Sequence, residues 1–470
     1  MITMPVRSFF CRVVFCAVFS VSVFNVFTKS TSPRRHSSTV STEPESFICP
    51  QSALADDVLV VLRTGATESR EKVPVHLRTT LRCVPNFVVV SDFDEVVDGV
   101  EVTNVLGGVS ENIKKEHEDF KLYQHLQEHG RKGLPNQQPI TAMSGSSKGD
   151  YLQTANPSWS LDKWKFLPMV DHAYKKKTDA KWYIFIETDT YLAWSNLLAY
   201  LTHFDATKPL YIGKHLYINA LEFAYGGAGI ILSNPAAHAV HTQHSTHKSS
   251  YESFTSSHWV GDCALGKVLE DTHIPLHRAF PHLQSDSPST LDPATTKIDR
   301  DLWCFPAITY HHVSPAEIAA LWAFEQEWYE RHAIALRHRD VFMEFIRPQI
   351  DAEVGAWDNL SDGKEFNAHD YRGSESVVER DAWKSFGHCR ALCEGWGECV
   401  QFSFDVGSCV VSTAFRLGYA RPGGRVRSGW MLERVDDLFR GLEGRCGVRD
   451  WFAEEEKGGR ELRMRRKRSV

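Results

Sequence analysis

Two carboxylates separated by one residue follow an apolar run in the middle of this chain. The segment reads "WYIFIETDTYLAW" over 182–194, which places Glu187 and Asp189 directly after the run. In a strand, residues two apart point to the same face, where like charges repel each other unless a cation lies between them. A divalent metal ion accepts carboxylate oxygens and leaves positions for a nucleotide diphosphate. The pattern predicts a strand-end site for a metal-bound nucleotide; the alternative is a turn with two solvated acids.

The residues before this segment predict the elements that would hold such a site. "DDVLVVLRTGATE" (56–68) and "PNFVVVSDFDE" (85–95) are apolar, strand-like runs that end in polar residues, and "HLRTTLRCV" between them is typical of a short helix. This alternation predicts a βαβ unit with ligand groups at the carboxyl ends of parallel strands. Neither a GxGxxG nor a GxxxxGK[ST] motif is present, which argues against dinucleotide-binding and P-loop sites.

Three later segments carry further candidate groups. "YGGAG" (225–229) precedes an apolar strand, "WVGDCALGKVL" (259–269) places an aspartate before a helix, and "CFPAITYHHVSP" (304–315) runs into a helix with a predicted capping box. Each has a plain structural interpretation: glycines that permit close packing, an aspartate that caps a helix, and histidines that end a strand.

Taken in order, these segments resemble motifs of the family 31 glycosyltransferases, which include Fringe and the core 1 β1,3-galactosyltransferases. "FIETDTY" is similar to the family's "DDDTY" metal motif, and the other three are similar to its Gly-Gly-Ala-Gly, Glu-Asp-Val and Cys-Tyr-Pro…His-Tyr-Val segments. The likeness spans roughly 50–345 and is greatest to the fungal, Fringe-like branch. It implies an α/β fold of the Rossmann-like GT-A type.

The resemblance also implies roles for individual residues. Glu187, Asp189 and His311 would hold Mn²⁺, with His312 as the alternative histidine, and Asp262 would be the base that deprotonates the acceptor hydroxyl. The nucleotide-binding candidates are Arg63, Thr64, Gly65, Ser91, Asp92 and Thr188. The acceptor-binding candidates are Tyr225, Gly226, Gly227 and Gly229.

Two departures from the family pattern bear on activity. Glu187 stands where the first acid of the metal motif is Asp, with Thr188 in the middle, and Gly261 replaces the acid that often precedes the base. The longer glutamate can still coordinate a metal ion, and Asp262 is left as the single carboxylate of its segment. An inactive enzyme stays open as an alternative.

The expected activity is that of an inverting, Mn²⁺-dependent β1,3-glycosyltransferase. It would move a hexose, galactose before N-acetylglucosamine, from a UDP-sugar to a glycan or glycoprotein such as a protein bearing N-acetylgalactosamine. One rival is a catalytically degenerate membrane protein that binds carbohydrate or protein. Another is a metal-dependent phosphoesterase, for which too few acids cluster.

The N-terminus bears on the compartment. The stretch from Phe9 to Phe27 is mostly apolar, and no acidic residue occurs in the first thirty-five positions. An uncleaved signal-anchor, a cleaved signal peptide and a buried helix all fit this pattern. The first two place the rest of the chain in the secretory lumen, and the resemblance implies a single-pass type II protein of the Golgi membrane with a luminal catalytic domain.

Composition adds few restrictions. A net charge of −6 and 42% apolar residues describe a globular protein with no reason to bind nucleic acid. The length of 470 residues predicts more than one domain. The expected units are a tail and signal-anchor helix (1–28), a stem (29–48), the GT-A domain (49–349), a linker (350–379), a small Cys-rich α+β module (380–450) and a charged tail (451–470).

Cysteine spacing predicts disulfides rather than a zinc site, because the C-terminal cluster lacks paired CxxC motifs. That cluster resembles a PAN/apple module, a type that binds carbohydrate or protein. The expected bridges are Cys49–Cys83, Cys263–Cys304, Cys389–Cys409 and Cys393–Cys399, which leaves Cys446 over. Asn359 begins the only glycosylation sequon.

Overall fold

The computed structural model describes residues 47, 49–134, 158–332, 334–446 and 451. The chain divides into two compact units, Met1–Glu45 and Ser46–Val470. The first unit, with the expected anchor, lies outside the described residues. Among the described residues, no helix combines the length and the apolar character needed to cross a bilayer.

The region from residue 49 to 349, here called the sheet region, alternates strands and helices. Its strands are β1 (Val58–Arg63), β2 (Phe87–Ser91), β3 (Glu95–Val97), β4 (Val100–Asn104), β5 (Trp182–Glu187), β6 (Tyr191–Leu192), β7 (Tyr211–Gly213), β8 (His215–Ile218), β9 (Leu221–Ala224), β10 (Ile230–Ser233), β11 (Leu276–Arg278), β12 (Thr296–Lys297), β13 (Arg300–Asp301) and β14 (Thr309–Tyr310). Its helices are α1 (Ser69–Arg78), α2 (Glu111–Glu116), α3 (Lys121–His129), α4 (Trp159–Lys176), α5 (Trp194–Leu201), α6 (Asn234–Thr246), α7 (Lys248–Ser257), α8 (Asp262–Asp271), α9 (Pro315–Arg331) and α10 (His338–Asp340).

Within the described residues, eight of these strands form one sheet in the order β11-β7-β10-β5-β1-β2-β4-β3. Its centre is parallel, because β1 runs parallel to both β2 and β5. The adjacent β10 is antiparallel to β5. The α/β fold expected from the alternating runs is confirmed, and the three central strands end at one edge.

Both faces of the sheet are covered, which explains the unbroken apolar run of β1. Val60 and Leu62 pack into one core with residues of α1 and α5. Leu59 and Val61 point to the opposite face, into a core that contains residues of α4 and α8. Helix α4 continues as one helix through Pro168.

The region from residue 353 to 443, here called the C-terminal module, is a small α+β unit. Its strands are β15 (Glu353–Gly355), β16 (Trp357–Asp358), β17 (Lys364–Asn367), β18 (Gln401–Asp405), β19 (Ser408–Ser412), β20 (Tyr419–Ala420) and β21 (Arg427–Trp430), and its helices are α11 (Ala368–Tyr371), α12 (Val377–Asp381), α13 (Phe386–Gly395) and α14 (Leu432–Glu443). Five strands pair in the order β15-β21-β18-β19-β17.

The module begins earlier in the chain than the sequence indicated. Residues 350–379 were expected to be an irregular linker, but β15 pairs with β21 and β17 pairs with β19. These short edge strands carry many polar residues because one side of each faces solvent, which hides them from a reading based on apolar runs. The sequon residue Asn359 is fully buried there, with its amide donating to the carbonyls of Phe402 and Gly429.

Three of the four expected disulfides are present, and one expectation is wrong. Cys49–Cys83, Cys389–Cys409 and Cys393–Cys399 are confirmed. Cys304 bonds Cys446, across a sequence separation of 142, instead of Cys263. Cys263, on α8, is a free, buried thiol. Cys446 is therefore not left over, and its bridge joins the two regions.

Candidate active site

Polar residues meet where β1, β2 and β5 end. Arg63, the last residue of β1, is in register with Val90 of β2 on one side and with Glu187 of β5 on the other. This register follows from the parallel pairing of three strands with similar apolar lengths. It brings the expected nucleotide-binding segments and the metal motif to one edge of the sheet.

A chain of alternating charges connects these strand ends to helix α4. Arg63 pairs with Glu187 and, at 3.3 Å, with Asp162 of α4. Lys165 then contacts Asp162 at 2.7 Å and Asp92 at 2.9 Å. Each buried charge thus has a partner of opposite sign, as burial requires. Asp162 and Lys165 were not singled out in the sequence, although their i, i+3 spacing in "LDKWKF" favours such a pair.

The buried residues at this edge form hydrogen bonds and ion pairs mainly with one another. Ser91 and Asp92 are fully buried, and Asp92 accepts a hydrogen bond from the backbone N–H of Ala66 at 2.8 Å. Lys165 donates to the carbonyl of Thr64 at 2.7 Å. Gly65 allows this packing, because an added Cβ would lie 3.2 Å from the Asp92 carboxylate. These nucleotide-binding candidates therefore hold the strand ends in place.

Among the described residues, one group has the geometry of a metal site: Asp189, His311 and His312 offer ligand atoms that all lie within 4.8 Å of one another. His311 Nδ1 lies 3.3 Å from Asp189 Oδ1, and His312 Nδ1 lies 3.9 Å from Asp189 Oδ2. We call these three residues the metal cluster. Both candidate histidines thus lie beside the aspartate of the motif.

Glu187 is outside the metal cluster, contrary to the expectation for the metal motif. Its carboxylate pairs with Arg63. The physical reason is local: β5 ends at Glu187, and Thr190 N–H donates to the Glu187 carbonyl at 3.0 Å, which closes a turn. The alternation of an extended strand therefore does not apply at Asp189.

Helix α1 and the preceding Glu68 contact the metal motif at Thr188. Thr188 Oγ1 donates to Glu68 at 3.1 Å, and Lys72 pairs with Glu68 at 2.8 Å. His76 Nε2 lies 2.9 Å from the Thr188 carbonyl oxygen. Burial lowers the pKa of His76 to about 4, so this imidazole is neutral and donates to the carbonyl. Thr188, which departs from the family motif, is thus hydrogen-bonded through its hydroxyl to Glu68 and through its carbonyl to His76.

The charge of Asp189 is stabilised by its neighbours. Burial by itself raises the pKa of this carboxyl, but the nearby charges of His311, Lys72 and His312 outweigh it and hold the pKa below its ordinary value. Asp189 is therefore a carboxylate at neutral pH, the form that a metal ion requires.

The metal cluster is a chemically reasonable site for a transition-metal ion. One carboxylate and two imidazoles form a mixed oxygen and nitrogen donor set, whereas Ca²⁺ and Mg²⁺ prefer oxygen ligands alone. Thr190 Oγ1 lies 3.2 Å from His311 Nδ1 and donates to the carbonyl of Gly227 at 2.9 Å. This contact holds the imidazole ring of His311 beside Gly227.

A tight turn from Gly226 to Ala228, here called the glycine turn, lies beside the metal cluster. A Cβ added at Gly227 would lie 2.3 Å from His311 Nε2, and one at Gly226 would lie 2.7 Å from Phe166. Gly229 has a φ of +92°, a conformation that favours glycine. Tyr225 places its ring 5.6 Å from that of His311. Tyr225 and Gly227 thus adjoin His311 of the metal cluster. Close packing favours glycine at 226 and 227, and the positive φ favours it at 229.

Asp262 lies on the other side of the glycine turn, as the first residue of α8. Its Oδ2 accepts a hydrogen bond from Gly226 N–H at 2.9 Å, and its Oδ1 accepts one from Cys263 N–H at 2.9 Å. Burial raises the pKa of Asp262 to about 6, against these hydrogen bonds. The site therefore holds a buried carboxylate that is mostly ionised at pH 7 and is a much stronger base than an exposed aspartate.

One family model matches the middle of the chain. Residues 148–314 match the family model described as "Fringe: Fringe-like". The match includes the metal motif, the glycine turn, Asp262 and both histidines of the metal cluster. The chain therefore contains a Fringe-like domain, the type that its motifs indicated, and this match supports a glycosyltransferase.

One solved structure is also similar in part. It is described as "Crystal structure of a glycosyltransferase involved in the glycosylation of the major capsid of PBCV-1". The alignment has 13% sequence identity and a TM-score of 0.24, and it covers 57% of this chain and 99% of that chain. A TM-score this low does not establish a common fold.

Proposed function

We propose that the protein is an inverting, Mn²⁺-dependent β1,3-glycosyltransferase that moves a hexose, galactose first, from a UDP-sugar to a glycan or glycoprotein such as one bearing N-acetylgalactosamine. The observation that carries the proposal is the glycine turn. It contacts Asp262 through the N–H of Gly226 and the metal cluster through the close approach of Gly227 to His311. A base and a metal site are thereby fixed on either side of one short turn.

The reaction assigns a task to each side. The acceptor hydroxyl oxygen forms a bond to C1 of the donor sugar while the bond from C1 to the diphosphate oxygen breaks, and UDP leaves with that electron pair. The hydroxyl proton passes to the carboxylate of Asp262, which later releases it to solvent. Attack from the face opposite the diphosphate inverts the configuration at C1.

The other residues bind and orient. Mn²⁺ held by Asp189, His311 and His312 would neutralise charge that develops on the departing diphosphate. The nucleotide would lie along the ends of β1, β2 and β5, where Arg63 and Lys165 keep the carboxylates paired. Glu187 serves in this proposal through its ion pair with Arg63 and not as a metal ligand.

The proposal extends to the compartment. Four disulfides occur among the described residues, and disulfides of this kind form in oxidising compartments. We place the catalytic region in the Golgi lumen, with residues 1–28 as a type II membrane anchor. Protease protection of the sheet region in intact Golgi vesicles, lost on detergent addition, is the expected result.

The test is turnover of UDP-galactose, UDP-N-acetylglucosamine and UDP-glucose by the purified chain, with and without Mn²⁺, against a panel of acceptors. Asp262→Asn keeps the size of the side chain but removes the base, so we expect turnover to fall by about 10²–10⁴-fold. UDP binding in the presence of Mn²⁺, measured by calorimetry, should stay close to the wild-type value.

The matched control is Asp271→Asn, at the other end of the same helix, where the carboxylate pairs with Lys267 near the surface. This variant should retain wild-type turnover. A folded wild-type protein that neither binds UDP with Mn²⁺ nor turns over any donor would exclude the transferase activity and favour the degenerate, ligand-binding alternative.

A further inference from the structure

A cavity of ≈ 530 Å³ adjoins the metal cluster and no motif assigns it a role. Tyr225 and His312 line the end nearest the cluster, and the β8–β9 hairpin supplies His215, Leu216 and Tyr217. Its volume lies within the range of about 300–1,000 Å³ that small-molecule sites occupy. Because Tyr225 begins the glycine turn segment, a molecule in this cavity would have one end beside the site where transfer is proposed.

The cavity contains a buried cation. Lys214 is only 9% exposed, donates to Ser285 Oγ, and lies 3.9 Å from the carboxylate of Asp286. An ammonium group has three donors, and Ser285 uses one of them. The Asp286 side chain is 48% exposed, so water screens much of its charge. Burial lowers the pKa of Lys214 to about 8, and the nearby charge of Asp286 opposes this shift.

The remaining walls suit a sugar ring with a charge. Lys297 supplies a second cation, and Tyr217, Tyr225 and Phe280 supply aromatic surface. Aromatic walls with a few placed polar groups are the usual composition of a small-molecule pocket. Two lysines face one partly solvated aspartate, so the cavity as built favours an anion.

We propose that this cavity binds the acceptor saccharide and selects one that carries an anionic group, a carboxylate or a phosphate ester, which Lys214 contacts. That the bound saccharide is an acceptor rests on the proposed transferase function. The inference replaces the neutral N-acetylgalactosamine implied by the family with an acidic sugar. The glycosyl-accepting hydroxyl would then point toward Tyr225 and Asp262, with the anionic group at the Lys214 end.

The test measures binding rather than turnover, so that it does not depend on finding the true acceptor. Methyl β-glucuronide, methyl β-glucoside and glucose 6-phosphate are titrated by saturation-transfer NMR into the full chain with UDP and Mn²⁺ present. We expect at least one of the two anionic probes to bind about tenfold or more tightly than the neutral glucoside. The tighter of the two identifies carboxylate or phosphate as the preferred group.

Lys214→Met keeps the length and the apolar stem of the side chain but removes its charge. It should reduce the anionic preference to less than twofold and leave the UDP dissociation constant unchanged. Lys208→Met is the matched control. Lys208 lies shortly before β7 and Lys214 directly after it, and the Lys208 side chain is 70% exposed. The melting temperature of each variant checks that it folds.

Two results would overturn the inference. Equal binding of all three probes to the native chain would show that the cavity does not select charge. A Lys214→Met protein that loses UDP affinity but keeps the anionic preference would assign the cation to the donor diphosphate. Equal binding of the three probes beside intact UDP binding would leave the transferase proposal standing. Anionic preference without any UDP binding would remove the transferase proposal and leave an anion-binding cavity.

Discussion

The sheet region and the C-terminal module bury polar groups in different ways. In the sheet region, several charged residues that are mostly buried meet at strand ends, as in the chain from Glu187 through Arg63 to Asp162. In the module the most deeply buried polar side chains are neutral: Asn359, Gln401 and Ser428 bond mainly to backbone groups. Among the described residues, the cluster with metal-site geometry is in the sheet region. The contrast indicates that chemistry is placed in one region and that the other stabilises it.

The two regions nevertheless share a core. Phe305 and Trp322 of the sheet region pack in one hydrophobic cluster with Phe415, Trp430 and Phe439 of the module. The Cys304–Cys446 disulfide reinforces this contact. Cys304 begins the segment that also carries His311 and His312, so the module fixes one side of the metal cluster at a distance.

The largest expected effect comes from breaking that link. Replacing both Cys304 and Cys446 by serine removes a bridge with a sequence separation of 142, and chain entropy predicts a loss of about 5 kcal/mol in the free energy of unfolding. The measurement is denaturant unfolding monitored by tryptophan fluorescence, together with the Mn²⁺ concentration that gives half-maximal turnover. Both stability and metal affinity should fall.

The comparison variant removes the short bridge inside the module. Cys393 and Cys399 close a loop with a sequence separation of 6, for which the same relation predicts about 2 kcal/mol. Metal affinity should not change, because this bridge is remote from the 304–312 segment. If both double variants weakened metal binding equally, the specific role of the long bridge would be disproved.

A smaller effect is expected from a single methyl group at the site itself. Gly227→Ala places a Cβ where it would lie 2.3 Å from His311 Nε2, so the imidazole must move. Displacing a ligand in this way should weaken metal affinity by about 10–100-fold, with little change in the melting temperature. Gly107→Ala is the control, because an added Cβ there has no neighbour within 4 Å. An unchanged Mn²⁺ requirement in Gly227→Ala would exclude His311 as a ligand.

Local signals in the sequence predicted most of the sheet region. Apolar runs that end in polar residues identified β1, β2 and β5, and the capping box at Ser314 is present with Glu317 as its partner. The order of four short motifs indicated Asp189, Asp262 and His311, which the structure gathers around the glycine turn. Each of these signals depends on residues close together in the chain.

Contacts between distant segments account for what was missed. Cys304 bonds Cys446 because α14 packs against the sheet region. The residues near Cys304 in the sequence carry no information about that packing. The separation of Glu187 from the metal cluster depends on where β5 ends, a boundary that apolar pattern does not fix to one residue. Lys214 carried no motif, because its partners Ser285 and Asp286 lie far along the chain.

The pH dependence of turnover tests the assignment of Asp262 as the base. The pKa of Asp262 is raised to about 6 by burial, and a general base works only when deprotonated. At fixed, saturating Mn²⁺, kcat/KM for the acceptor should fall about tenfold per pH unit below pH 6 and reach a plateau above pH 7. Mn²⁺ and UDP affinities are measured at each pH as the control. A profile that stays flat between pH 5 and 7 would contradict the assignment of the base.

The smallest expected effect lies in the core that the two regions share. Glu325 of α9 is buried and accepts a hydrogen bond from the hydroxyl of Tyr191, a member of that core. Burial raises the pKa of Glu325 to about 7, above its unfolded value, so the folded state binds the extra proton and the stability from this group is lost as pH rises through 7. Between pH 6 and pH 8 the loss amounts to about 1.4 kcal/mol.

Glu325→Gln keeps the hydrogen bond to Tyr191 but cannot ionise, so its free energy of unfolding relative to wild type should be higher at pH 8 than at pH 6 by that amount. Denaturant unfolding at the two pH values measures it. Glu327→Gln, on the exposed side of the same helix, is the control and should show no such difference. A pH-independent difference for Glu325→Gln would mean that the carboxyl keeps an ordinary pKa, and that the shared core admits water where the structure shows it packed.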